Sequence, residues 1–196
     1  MVFVPNGIEF EDAEFYDGGS LRDGTLLHDA VVGGLACAGG FDVDFYESGK
    51  VRMARLASDT LVAGVPCKSD HYTFFHENGT PWNTTLASGY ESEGRQYLPK
   101  TRVTLDDRGR VLEWRSHLPE DEVIQGIPCL GSVPVWFYTG GRLSMAYLSQ
   151  PWLIEGTEYP AWTQVTFEHD GKLTEVNIFN NHPRNFKERV YGAMEV

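Results

Sequence analysis

The sequence predicts an all-β fold: antiparallel β-strand repeats of about 30 residues, forming one elongated sheet or a closed β-barrel. Three observations predict it. Glycines recur at a fixed interval, apolar residues keep a period of two beside them, and residues 1–180 contain no segment with helical periodicity.

The glycines fall into two interleaved series. One runs Gly19, Gly49, Gly79, Gly109, Gly141, Gly171; the other runs Gly34, Gly64, Gly94, Gly126, Gly156. Every step is 30 residues except one of 32 in each series, Gly109 to Gly141 and Gly94 to Gly126. Both series therefore record one two-residue insertion. The leucines seven residues after the first-series glycines (Leu26, Leu56, Leu86, Leu148) are matched in the fourth repeat by Leu118, which places the insertion between Val111 and Leu118.

The first strand of each repeat is read from residues four and six before the first-series glycine. These are Phe15, Phe45, Phe75, Leu105, Phe137 and Phe167, and Ala13, Val43, Thr73, Val103, Val135 and Val165. Spacing by two is that of a half-buried strand. The tetrads that follow, such as HENG at 76–79 and EHDG at 168–171, are hairpin turns in which glycine takes positive φ. A second strand follows, then the second-series turn and a short extended piece. An open meander and a closed barrel both accommodate this pattern. The hairpin units resemble MORN-type repeats in architecture, although the closely spaced glycines and tyrosines of those shorter units are absent. Residues 1–180 are expected to form a single domain. Residues 181–196 are expected to be a tail whose segment NFKERVY suits a short helix capping the sheet.

With 41% hydrophobic and 13% aromatic residues the chain suits a folded core. Its net charge of −12 repels nucleic acid and anionic membrane surfaces. No apolar run approaches the 18 residues of a spanning helix. The N-terminal MVFVPNGIEFEDAEF has no basic start and no sustained apolar stretch, so the expected location is cytoplasmic. On that reading the glycosylation-like triplets at Asn78 and Asn83 are chance matches.

Cys37, Cys67 and Cys129 each stand three residues after a second-series glycine. Equivalent positions one repeat apart predict buried thiols in a recurring slot, not disulfides or metal ligands. The six histidines show no metal-binding spacing, and neither a metal nor a cofactor is expected. No nucleophile elbow, phosphate loop or dinucleotide fingerprint is present.

In a repeat, positions that keep the pattern build the core, and positions that break it are candidates for function. The third and fourth repeats break it most. Ser92 stands where Val32, Val62, Ile124 and Ile154 are apolar, and the insertion carries Glu113, Trp114, Arg115 and His117. Phe74 and Trp136 occupy outward strand positions that are Glu14, Asp44, Thr104 and Thr166 elsewhere. An apolar patch on a polar face suggests a binding surface. The expected function is a non-enzymatic module binding a protein partner or apolar small molecule through Phe74, Trp82, Tyr90, Trp114, Arg115, Trp136 and Tyr138. The alternative is a small β-barrel enzyme of isomerase, cyclase or lyase type, with His76, Glu113 and His117 as acid–base residues. Open sheet edges would also allow pairing between copies.

Overall fold

The computed structural model describes residues 2–4, 7–118 and 120–178, and among them every regular element is a strand. The second repeat shows the plan. Asp42–Phe45 pairs antiparallel with Val51–Arg55 across a turn closed by Tyr46 N to Lys50 O and Gly49 N to Tyr46 O, both 2.8 Å. Gly49 has φ +80°, the left-handed conformation that this three-residue loop demands. Asp44 faces Met53 and Phe45 faces Val51, so Arg52 is one extra residue, a β-bulge.

The chain then forms a small second hairpin, Thr60–Val62 with Val65–Cys67. Its two-residue turn has positive φ at both Ala63 (+48°) and Gly64 (+84°), the geometry that matches strand twist. Where the sequence suggests a single third extended piece, the structure has two short strands. The bridge from Cys67 to Leu86 ties this hairpin to the next repeat, as Cys37 is tied to Leu56 and Cys129 to Leu148.

The described residues group into two compact units, one up to Leu112 and one from Glu113 on. In the first, Val2–Val4, Ile8–Phe15, Leu21–Leu26, Asp42–Phe45, Val51–Arg55, Tyr72–Phe75, Pro81–Thr85 and Arg102–Leu105 lie side by side in chain order. The strand Val111–His117 spans the boundary, and from it the second unit continues in the order Pro134–Tyr138, Leu143–Tyr147, Gln164–Phe167 and Leu173–Asn177. Neither run returns to pair with its own first strand. The sheet is an open antiparallel meander, and the barrel alternative falls. The boundary between the units lies at the insertion. Val111–His117 has seven residues where Val51–Arg55 and Pro81–Thr85 have five, and it pairs in unbroken register with Pro134–Tyr138. The two extra residues lengthen a strand. The expected tail at 181–196 lies outside the described residues.

The small hairpins cover one sheet face, and the core lies between the two layers. In the second unit, Val135, Phe137, Ala146 and Val165 from the sheet pack with Cys129 and Ile154 from the hairpins. In the first, Val43, Ala54, Val103 and Leu105 are sealed, as are Leu56 and Leu86 at the bridges. Each such valine or leucine contributes roughly 1.5–3 kcal/mol by leaving water. The cysteines are free and buried, each Sγ lying near a carbonyl two residues earlier (Leu35, Val65 and Ile127, 3.4–3.5 Å). Burial pushes the Cys37 and Cys129 thiols up to about 11.

One hydrogen bond repeats along the chain. The residue after the strand phenylalanine donates to a carbonyl 29 residues on: Tyr16 to Phe45 and Tyr46 to Phe75 at 2.7 Å, and Tyr138 to Phe167 at 2.8 Å. His76 Nε2 meets the Leu105 carbonyl at 2.9 Å in the same slot.

Candidate functional site

The uncovered face of the sheet carries a second repeated slot. Each outward strand residue is neighboured by the bulge residue eight positions later. In the first two repeats the slot holds ions. Arg22 bonds Glu14 and also Asp23, and Arg52 bonds Asp44 at 2.7 Å. Burial pushes the Asp44 carboxyl up, against the opposing pull of Arg52. In the third repeat the slot is aromatic. Phe74 and Trp82 meet edge to face, ring centroids 5.8 Å apart. Trp82 is 46% exposed, while Phe74 is half-buried between Met53 and Asn83. The repeat therefore exchanges an ion pair for an apolar, partly solvated pair at one place.

In the second unit the outward row is Arg115, Trp136, Met145, Thr166. The Arg115 guanidinium stands 5.9 Å from the centre of the Trp136 ring, and burial pushes its pKa down. Trp136 and Trp162 pack against Leu130, Val133 and Tyr147, a small satellite cluster. Trp136 is thus partly enclosed, unlike Trp82.

Trp114 faces Phe137 and stacks on it at 4.3 Å, so it belongs to the covered core. The two-residue period puts it opposite Arg115, and it is not part of an outward patch. Tyr90 lies on the small hairpin Tyr90–Ser92, its hydroxyl donating to the Gly109 carbonyl at 2.7 Å. Tyr138 makes its repeat hydrogen bond and stacks on His169, centroids 3.7 Å apart. Ser92 is buried, and its hydroxyl accepts from the Val111 amide at 3.1 Å, which gives the polar substitution a structural use.

For the acid–base candidates, Glu113 accepts from the Ser144 hydroxyl at 2.5 Å and His76 serves the repeat hydrogen bond. The His117 side chain lies outside the described atoms. Phe74, His76, Trp82 and Tyr90 belong to the first compact unit, and Glu113, Trp114, Arg115, Trp136 and Tyr138 to the second. Among the described residues there is no group of three or more His, Cys, Asp or Glu placed to hold a metal. No helix among them is long and apolar enough to cross a membrane.

Two features escaped the sequence reading. Val31, Leu61, Val123 and Leu153, at matching positions on the small hairpins, are 63–69% exposed. Their signal was alternation with the buried hairpin positions Val32 and Ile154. The other is Arg142, whose setting shows only when its neighbours are aligned with the preceding repeat. Compared with known protein families, curated proteins and solved structures, the chain matches none.

Proposed function

We propose that this chain is a non-enzymatic binding module that recognises a protein partner or an apolar small ligand on the uncovered face of its sheet, centred on Phe74 and Trp82. The observation that carries this is the exchange within the repeat slot. Where Glu14–Arg22 and Asp44–Arg52 satisfy one another, Phe74–Trp82 presents apolar surface to water at a position the fold can fill with charge. Exposed aromatic surface with a polar surround is typical of a binding centre. The acid–base reading is less favoured because His76 occupies a slot that tyrosine fills elsewhere. Three free buried thiols fit a reducing compartment such as the cytoplasm.

The test is the double variant Phe74→Asp with Trp82→Arg, which rebuilds the Asp44–Arg52 pair of the preceding repeat. Wild type should bind the neutral apolar dye Nile red or hold a partner across stringent washing, and the variant should lose at least tenfold in affinity. Equal binding by both proteins, or none by wild type, overturns the reading.

A further inference from the structure

A hollow of about 470 Å³ opens in the second unit beside the turn at Gly140 and Gly141, with Ile127, Leu143 and Phe167 as its apolar lining and Arg142 as its charged lining. Its volume is within the range of small-molecule sites. The preceding repeat shows one way in which this charge is occupied. There Arg110 stands at the equivalent position, bonded to Asp106 at 2.7 Å and near Glu93 at 3.6 Å. Moving both acids on by 32 residues gives Tyr138 and Gln125. Neither can neutralise an arginine, and both are engaged elsewhere. The Gln125 amide donates to the Gly141 carbonyl at 2.8 Å and accepts from the Leu143 amide at 3.2 Å, and the Tyr138 hydroxyl donates to Phe167.

Among the described residues Arg142 makes no ion pair, in a chain with 28 acidic side chains against 16 basic ones. Its guanidinium lies over Gly171. A Cβ built there would meet Arg142 Nη1 at 3.2 Å, so the absent side chain leaves the cation room at the mouth of the hollow. An unpaired guanidinium beside an apolar lining suits a molecule with an anionic head and an apolar body. The planar fork bonds a carboxylate or phosphate through two parallel N–H groups.

From this geometry we infer that the hollow beside Arg142 is a binding site for a small organic anion, its carboxylate or phosphate on Arg142 and its apolar body against Ile127, Leu143 and Phe167. The site is separate from the Phe74–Trp82 surface and does not depend on it. The two acids that flank Arg110 have no counterpart beside Arg142, so no internal carboxylate from those positions competes with such a ligand.

The test titrates the full chain with benzoate and with phenyl phosphate, using inorganic phosphate and benzyl alcohol as single-feature controls. Calorimetry or amide chemical shifts of Arg142, Leu143 and Gly171 provide the readout. Saturable binding of benzoate or phenyl phosphate is expected, with each control at least tenfold weaker. Which of the two binds more tightly identifies the head group. Arg142→Gln, at an exposed side chain, should weaken binding at least tenfold. Gln125→Glu, which puts back the acid of the preceding repeat, should do the same without removing the arginine. Failure of both anions to bind wild type, inorganic phosphate or benzyl alcohol binding as tightly as its two-feature counterpart, or undiminished affinity in Arg142→Gln would each overturn the proposal.

Discussion

Replacing His76 by tyrosine and, separately, by phenylalanine separates a repeated structural tie from a residue kept for chemistry. His76 Nε2 lies 2.9 Å from the Leu105 carbonyl, and tyrosine hydroxyls make the same link at 2.7–2.8 Å from positions 16, 46 and 138. Tyrosine at 76 should restore that link, leaving stability within about 0.5 kcal/mol of wild type. Phenylalanine fills similar space without a donor and should cost about 1 kcal/mol, the usual net value of one hydrogen bond. With a urea dependence of about 1–3 kcal/mol per molar, the phenylalanine variant should unfold about 0.3–1 M earlier. The assay is urea unfolding followed by circular dichroism, taking the first transition if the two units unfold separately. Tyrosine proving as damaging as phenylalanine would refute the slot equivalence, and with it the use of the repeat to explain His76.

Three further outcomes follow from the same repeat. Thr73 and Thr84 share a buried hydroxyl hydrogen bond of 2.9 Å where the preceding repeat has Val43 and Ala54, so Thr73→Val or Thr84→Ala alone should cost about 1–2 kcal/mol while the pair together is nearly neutral in a double-mutant cycle. A Cβ on Gly131 would sit 2.3 Å from the Glu120 carbonyl carbon, so Gly131→Ala should destabilise by about 3 kcal/mol, whereas the surroundings of Gly64 are open and Gly64→Ala should show only the roughly 1–2 kcal/mol cost of its positive φ in thermal melts. The folded thiols of Cys37 and Cys129 titrate at about 11, above the ordinary 9.0, so the folded state holds their protons more tightly. Their contribution to stability is complete below pH 9 and is lost as pH rises through about 11. At pH 8 a thiol reagent should label none of the three cysteines until the protein is denatured, and rapid labelling of the native chain would contradict their burial.

Much of the fold was legible because its physics is local and repeated. Positive φ at Gly49 and Gly64, and alternation at Val43 and Phe45, are properties of single strands and turns, and they recur often enough to be read without a partner. The choice between barrel and open sheet was not legible, because closure depends on which strand meets the first one. The small hairpins were half legible: Gly64 marked the turn, but three-residue strands such as Thr60–Val62 are too short to show a period. Trp114 was misplaced because the insertion beside it hides the phase of its strand, and only its pairing with Phe137 shows that it faces the core. Arg142 looked ordinary in the sequence. Its lack of an ion pair follows from Gln125 and Tyr138 standing where Glu93 and Asp106 flank Arg110, and the Glu93 pairing that shows this is a contact across the fold.

On the proposed reading, the departures from the repeat at Phe74 and Trp82 serve binding and are not needed to hold the sheet together. The unfolding free energy of the Phe74→Asp, Trp82→Arg double variant decides between these roles. Because Asp44 and Arg52 fill the same slot one repeat earlier, the account predicts a stability within about 1 kcal/mol of wild type. A loss of about 3 kcal/mol or more, the cost of emptying a core aromatic site, would show that the pair is structural and contradict the account.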